Sequence, residues 1–133
     1  MRRLPNNELH RMLVYYLRKN LGAPVYDYVP ENVKLPFITI GAVNIQDKGL
    51  KVEDITHASV QIHIWSDYKG RREINLLAER IINLFSTVQL DLTADQFYVN
   101  SQGIDFYETY PEGDGGYNGI LTLEADIQNL KGD

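Results

Sequence analysis

The chain has 133 residues, a formal net charge of −5 at pH 7 and no cysteine. Its length predicts one domain over residues 1–133, and 44% apolar with 23% charged residues is typical of a folded protein. The absence of cysteine excludes disulfides and zinc–thiolate sites, and the negative charge disfavours tight, sequence-independent binding to nucleic acid. No apolar stretch approaches the ~20 residues of a bilayer span, so we expect no membrane insertion.

The first part of the chain predicts one helix followed by strands. Apolar residues recur at steps of three and four over residues 6–21, which predicts an amphipathic helix. Residues 25–29 are a short strand candidate. Residues 37–45 are apolar on both alternating faces, which predicts a central strand covered on both sides. The polar, charged stretch over residues 46–56 predicts a long loop.

The second part predicts a strand, a helix and further strands. Residues 58–65 alternate between apolar and polar side chains, and residues 71–86 carry one apolar helical stripe with Leu76 on the opposite, polar face. Residues 97–110 predict one bent strand or two short ones, broken at a glycine, and residues 121–128 predict a one-sided strand. The glycine-rich stretch between them, residues 111–119, predicts a long, mobile loop instead of a tight hairpin.

These elements predict an α+β fold in the order α-β-β-β-α-β-β-β. Because each helix has one apolar stripe, we expect a single antiparallel or mixed sheet with both main helices packed on one face.

Few residues could carry catalysis. His57 and His63 would lie on one strand face ~20 Å apart, too far to share a metal ion, and we expect both to be solvated. Two acidic pairs lie in polar, loop-like sequence, where nothing would bury one acid and raise its pKa: Asp91 with Asp95, and Glu112 with Asp114. The sequence therefore predicts no catalytic residue, no metal site and no cofactor.

Interaction-type residues are more prominent. Nine tyrosines are many for this length, and tyrosine is favoured in protein interfaces. Trp65 falls on the polar side of a strand, as Leu76 does on a helix. The candidate contacts with partners or with further copies are Asp47, Lys48, Lys51, Glu53, Trp65, Leu76, Tyr110, Glu112, Asp114 and Tyr117.

Three segments carry a family resemblance. They are Leu35-Pro36-Phe37-Ile38-Thr39-Ile40-Gly41, then Ile62-His63-Ile64-Trp65-Ser66 with Gly70-Arg71-Arg72-Glu73 opening a helix, and finally Gly119-Ile120-Leu121-Thr122-Leu123. Over residues 8–128 the chain resembles the tail completion proteins of long-tailed bacteriophages, also called tail-to-head joining or tail terminator proteins.

The resemblance implies a virion protein without catalytic activity, made in the cytoplasm of the bacterial host and located at the head–tail junction. It implies a homo-oligomeric ring, typically a hexamer, whose isolated subunit can be a monomer. The implied partners are the tail tube protein and the connector or stopper proteins of the head, with DNA only as passing cargo.

Two other functions stay open at this point. One is a small α+β hydrolase or transferase that uses His57 or His63 with a nearby acid, for which a deep pocket holding a histidine–carboxylate pair would be evidence. The other is a nucleic-acid-binding module that uses Arg71 and Arg72 with stacking tyrosines, for which steeply salt-dependent binding would be evidence.

Overall fold

The computed structural model of the chain describes residues 3–47 and 54–131. In that part of the chain there are two α-helices and five β-strands, in the order α-β-β-β-α-β-β. They are α1 (Asn6–Asn20), β1 (Val25–Tyr26), β2 (Phe37–Asp47), β3 (Ile55–Ser66), α2 (Arg72–Thr87), β4 (Phe97–Pro111) and β5 (Tyr117–Asn129). A short 3₁₀ turn, Thr93–Asp95, precedes β4.

The strands form one mixed sheet in the spatial order β1-β2-β3-β5-β4. Only the β1–β2 pair is parallel, and the other three pairs are antiparallel. The predicted α+β class with one mixed sheet is confirmed. Residues 97–110 were predicted as one bent strand or two short ones, and the structure has one strand, β4, with register shifts after Val99 and after Ile104. Two strands therefore follow α2, and not three.

Both helices pack on the same face of the sheet, as predicted. The apolar stripe of α1 is buried at Leu9, Leu13 and Leu17, and α2 buries its own stripe in the same cluster. Alternate residues of β3 and β5 complete this core, because successive strand residues point to opposite faces. Each fully buried leucine or isoleucine contributes about 2 kcal/mol.

The other face of the sheet is covered by neither α1 nor α2, and we call it the open face. It presents the half-buried side chains of β3 and β5 that alternate with the core: His57, Ser59, Gln61, His63, Trp65, Ile120, Thr122, Glu124, Asp126 and Gln128. One strand thus supplies apolar residues to the core and polar or aromatic residues to the open face.

The prediction of a strand covered on both sides at residues 37–45 is wrong. Only Ile38 of β2 is buried, and Ala42 and Asn44 are exposed. Strand β1 pairs with β2 over two residues only, so most of β2 lies at the edge of the sheet and its side chains stay partly exposed.

Both predicted loops are shorter than expected. Strand β2 extends to Asp47, which pairs with Thr56 of β3, so both ends of the predicted loop 46–56 belong to paired strands. Lys48, Lys51 and Glu53 lie outside the described residues. The prediction of a long loop over residues 111–119 is wrong. Strand β4 includes Pro111 and β5 begins at Tyr117, which leaves a hairpin connection over residues 112–116.

Candidate interaction surfaces

The connection between β4 and β5, residues 112–116, forms an acidic hairpin tip. Its backbone closes where the N–H of Glu112 donates to the carbonyl of Gly116 at 2.8 Å, and Asp114 Oδ1 accepts from the N–H of Gly116 at 3.2 Å. A Cβ on Gly116 would lie 2.2 Å from the backbone oxygen of Ser66, so glycine is required for the tip to approach the end of β3. The tip is therefore fixed against the sheet.

The base of the hairpin is joined to the start of α2. Arg71 lies over the ring of Tyr117 at 4.8 Å and donates from Nε to the hydroxyl of Thr109 at 2.9 Å. The hydroxyl of Tyr107 donates to Asn75 Oδ1 at 2.7 Å, and burial raises the pKa of Tyr107. Tyr117 and Arg71 thus serve intramolecular contacts, whereas Asp114 is exposed and Glu112 is half-buried at the tip.

Tyr110 extends the acidic tip with an exposed aromatic ring. It is 45% exposed and comes two residues before Glu112. A hydrogen bond with Glu108 raises the pKa of the Tyr110 hydroxyl. This end of the hairpin therefore combines carboxylates with an aromatic side chain, a common composition for a protein contact.

A second surface, which we call the Leu76 groove, lies between α2, the segment after α1 and the start of β2. It has a volume of about 320 Å³, and Pro36, Tyr68, Arg72, Leu76 and Arg80 are among its lining residues. Leu76 and Tyr68 are each 48% exposed, and Arg72 and Arg80 are exposed on either side of Leu76. Glu73 also lines the groove and accepts a hydrogen bond from the Ser66 hydroxyl, so the groove combines apolar side chains with two guanidinium groups and one carboxylate.

The groove explains an exception in the helix pattern. Arg72, Leu76 and Arg80 are spaced four residues apart, so they lie along one face of α2. The prediction that Leu76 lies off the core stripe is confirmed by its exposure. The sequence analysis did not identify Arg72 and Arg80 as neighbours of Leu76. Their spacing of four residues from Leu76 was the signal that could have done so.

On the open face, His57 lies between two carboxylates. Its Nδ1 is 2.7 Å from Asp126 Oδ1, and its Nε2 contacts Glu124 Oε2. The hydrogen bond with Asp126 contributes most to raising the pKa of His57, Glu124 adds to it, and burial opposes it. The side chain of His57 keeps 31% of its surface exposed, and what the sequence did not predict is that the neighbouring strand β5 supplies both acids.

The His57 arrangement does not match a hydrolytic triad. A general base needs one ring nitrogen on a carboxylate and the other on the nucleophile, whereas both nitrogens of His57 bind carboxylates. The hydroxyl of Ser101 donates to the Asp126 carboxylate at 3.4 Å.

His63 and Trp65 form a second cluster on the open face. Their rings stack with centroids 5.6 Å apart, and Trp65 Nε1 donates to the hydroxyl of Thr39 at 2.9 Å. Burial lowers the pKa of His63, so the expectation of a solvated side chain is wrong for this histidine. A Cβ on Gly41 would lie 2.5 Å from His63 Nε2, so this glycine makes room for the imidazole.

A family model described as "Tail completion protein gp17" matches residues 15–128. The chain belongs to this family. The resemblance drawn from residues 35–41, 62–73 and 119–123 is thereby confirmed, and the chain is a phage tail completion protein.

The fold of this tail completion protein also occurs among solved structures. A chain from "Virion of native gene transfer agent (GTA) particle" is similar with a TM-score of 0.69 and 16% sequence identity, covering 84% of each chain. Among curated proteins no significant match is found.

The structure brings only some of the predicted contact residues of the tail completion protein together. Tyr110, Glu112, Asp114 and Tyr117 lie on one hairpin, whereas Asp47 pairs with Thr56 at the other end of the sheet. In the described part of the chain, no group of three histidines or acids is placed to hold a metal ion. Neither described helix has the length and apolarity to cross a bilayer.

Proposed function

We propose that this tail completion protein assembles with copies of itself into a hexameric ring at the head-proximal end of the tail tube, where it joins the tail to the connector or stopper proteins of the head. The observation that carries the proposal is the family match over residues 15–128. The proposed location is the virion, at the head–tail junction, after synthesis in the bacterial host.

The surfaces of the subunit support a ring. A ring closes by head-to-tail contacts, which require two different surfaces on each subunit. The acidic hairpin tip and the Leu76 groove are proposed as contacts with neighbouring subunits or with other tail proteins. The net charge of −5 also suits a ring through which DNA passes, because like charge reduces adhesion of the DNA.

The proposed role is structural and includes no catalysis. The alternative of a hydrolase or transferase requires a histidine free to accept a proton, whereas His57 binds carboxylates through both nitrogens and His63 is stacked on Trp65. Arg71, required by the nucleic-acid alternative, is engaged with Tyr117 and Thr109.

The test is to add the purified chain to tail tubes assembled without it and to image the tube ends by electron microscopy. We expect additional ring density at one end of each tube and none on tubes alone. Bare tube ends at saturating chain concentration would overturn the proposal. Sedimentation of the chain without tubes would show whether the subunit is a monomer before assembly.

The charged segment between β2 and β3 is proposed as a contact with the tube or the head. Lys48, Lys51 and Glu53 come from sequence alone, and Asp47 is the exposed residue before them. Charge reversal of Lys48 and Lys51 should reduce docking of the ring while leaving the melting temperature unchanged. Normal docking by that variant would exclude the segment as a contact.

A further inference from the structure

The charge of the chain is divided unevenly between the strands and the rest of the molecule. Within the described residues 3–47 and 54–131, no lysine or arginine lies in a strand. The strands contain five carboxylates: Asp47, Asp105, Glu108, Glu124 and Asp126. The chain has 18 acids and 13 lysine and arginine residues, so its net charge of −5 equals the charge of these five carboxylates. The sheet is therefore the acidic part of the molecule.

Four of these carboxylates are placed at the open face. Glu124 and Asp126 lie there on β5. Glu108 of β4 is the register partner of Ile120, an open-face residue. Asp105, which is exposed, lines a pocket of about 220 Å³ together with Glu124. The open face is therefore an acidic surface.

The open face also carries aromatic rings. Phe106 is 54% exposed and is the register partner of Thr122, which lies on the open face. Trp65 is half-buried on the same face. Carboxylates repel the phosphates of DNA, and exposed aromatic rings are favourably buried in protein contacts. The composition of the open face therefore favours a protein partner with exposed cations.

The outer surface of helix α1 has the complementary composition. We define the outer stripe of α1 as four exposed residues at helical spacings of three and four: Arg11, Tyr15, Arg18 and Lys19. These residues line a groove of about 610 Å³, and Tyr15 is 50% exposed. The buried leucines of α1 lie on the other side of the helix, so the outer stripe points away from the core.

Two cations of the outer stripe have no acidic partner among the described residues. Arg11 pairs with Asp95, and Asp27, the acid that lines the groove, contacts a histidine of α1. Arg18 donates to a backbone carbonyl at 2.8 Å, and Lys19 lies 5.7 Å from the centre of a tyrosine ring. Arg18 and Lys19 are therefore available for carboxylates of a second molecule.

The outer stripe and the open face point in opposite directions. Helix α1 packs on one face of the sheet, and the open face is the other. The 15 residues of α1 span about 22 Å, and five strands span about 19 Å across the sheet, so one helix matches the width of the open face. A contact between two different surfaces is head-to-tail, and it closes a ring when successive copies are rotated about one axis.

The local order of charges and rings matches as well. On β4, Asp105 and Glu108 flank the exposed ring of Phe106. On α1, the exposed ring of Tyr15 is followed one turn later by the two available cations. An aromatic contact beside opposite charges is a common arrangement of residues that dominate binding.

From this we infer, on the basis of the proposed ring, that the outer stripe of α1 in each subunit packs on the open face of the next subunit. Tyr15 packs against Phe106, and Arg18 and Lys19 pair with Asp105 and Glu108. The occupant of the open face is a second copy of this chain.

The first test is cross-linking between introduced cysteines, because the chain contains none of its own. The variant Tyr15→Cys with Phe106→Cys places one thiol on each surface, and the sheet separates the two thiols of one chain. A short bis-maleimide reagent then links only neighbouring subunits, so we expect a ladder of covalent oligomers from ringed tube ends. Tyr15→Cys with Lys69→Cys, whose second thiol is exposed outside both surfaces, is the control and should give no ladder.

The second test reverses charges. Arg18→Glu with Lys19→Glu makes the outer stripe acidic, and Asp105→Lys with Glu108→Lys places two cations on the open face. Each double variant brings like charges together at every contact, so we expect a loss of ringed tube ends of about tenfold or more. One chain that carries all four substitutions restores opposite charges and should form rings again.

Controls separate the contact from the fold. Lys34→Glu with Lys69→Glu changes the net charge as much as the helix variant does, at exposed positions outside both surfaces, and should form rings like the wild type. Circular dichroism and melting temperature should be unchanged in both double variants.

The outcomes distinguish this inference from the proposed function. If the wild type forms no rings on tubes, both are wrong. The inference alone is wrong if rings form and the Tyr15–Phe106 pair gives no ladder, if both charge variants form rings normally, or if the fourfold variant does not restore them. Labelling of Phe106→Cys by a bulky maleimide at the same rate in rings and in free subunits would also overturn it, because the open face would then face the channel.

Discussion

The two faces of the sheet differ although the same strands supply both. On the face covered by the helices, β3 places Val60, Ile62 and Ile64, each at most 1% exposed. On the open face, the intervening Gln61 and His63 are half-buried and contact other side chains of the sheet. The comparison teaches that the face covered by the helices holds most of the buried apolar contacts, so substitutions there should affect folding stability more than substitutions on the open face.

The largest expected effect comes from truncation on the covered face. Ile62→Ala removes a fully buried side chain and leaves a cavity, so we expect the free energy of unfolding to fall by about 3 kcal/mol. Gln61→Ala, one residue away on the open face, should change it by less than about 0.5 kcal/mol. Urea denaturation of both variants measures the difference, and similar losses would show that the faces are not distinct.

A smaller effect is expected where the open face is tightly packed. Gly41→Ala introduces a Cβ 2.5 Å from His63 Nε2, which forces the imidazole away from Trp65. We expect a loss of about 1 kcal/mol in unfolding free energy. In a background with His63→Ala the same substitution should cost almost nothing. An equal cost in both backgrounds would assign the effect to the backbone.

The His57 cluster should make stability depend on pH. Because its carboxylate partners raise the pKa of His57 in the folded protein, the contribution is complete below the unfolded value of 6.5 and is lost as pH rises through the folded value. His57→Gln should therefore cost up to about 1 kcal/mol near pH ~6, and less near pH ~9. A cost that grows with pH would contradict this assignment.

The smallest effect is expected at an exposed aromatic residue of the open face. Phe106 is 54% exposed, so Phe106→Ser should change the free energy of unfolding by less than about 0.5 kcal/mol. Phe97, on the same strand but 1% exposed, is the matched control, and Phe97→Ser should destabilise by more than about 3 kcal/mol. Thermal or urea unfolding would rank the two, and a reversed order would contradict the separation of the faces.

Part of the candidate site could be predicted from the sequence. Leu76 interrupts the polar face of an otherwise regular amphipathic helix, and the acids of residues 112–114 lie in a glycine-rich turn. Their relation could not be predicted, because it depends on the register that aligns β2 with β4 through two intervening strands. The partners of His57 were missed for the same reason, since Glu124 and Asp126 are 67 and 69 residues away.

The sequence by itself determined the helices, the alternating strands and the α+β class, because helical and strand periodicities are local properties of the chain. The family came from the resemblance of three short segments to known tail completion proteins. Only the tertiary structure decided that β2 lies near an edge with its side chains partly exposed, that residues 112–116 form a hairpin held against Ser66, and that the tip and the Leu76 groove share one end of the sheet. The physical reason is that these properties arise from contacts between residues distant in the chain, and periodicity carries no information about which strands become neighbours.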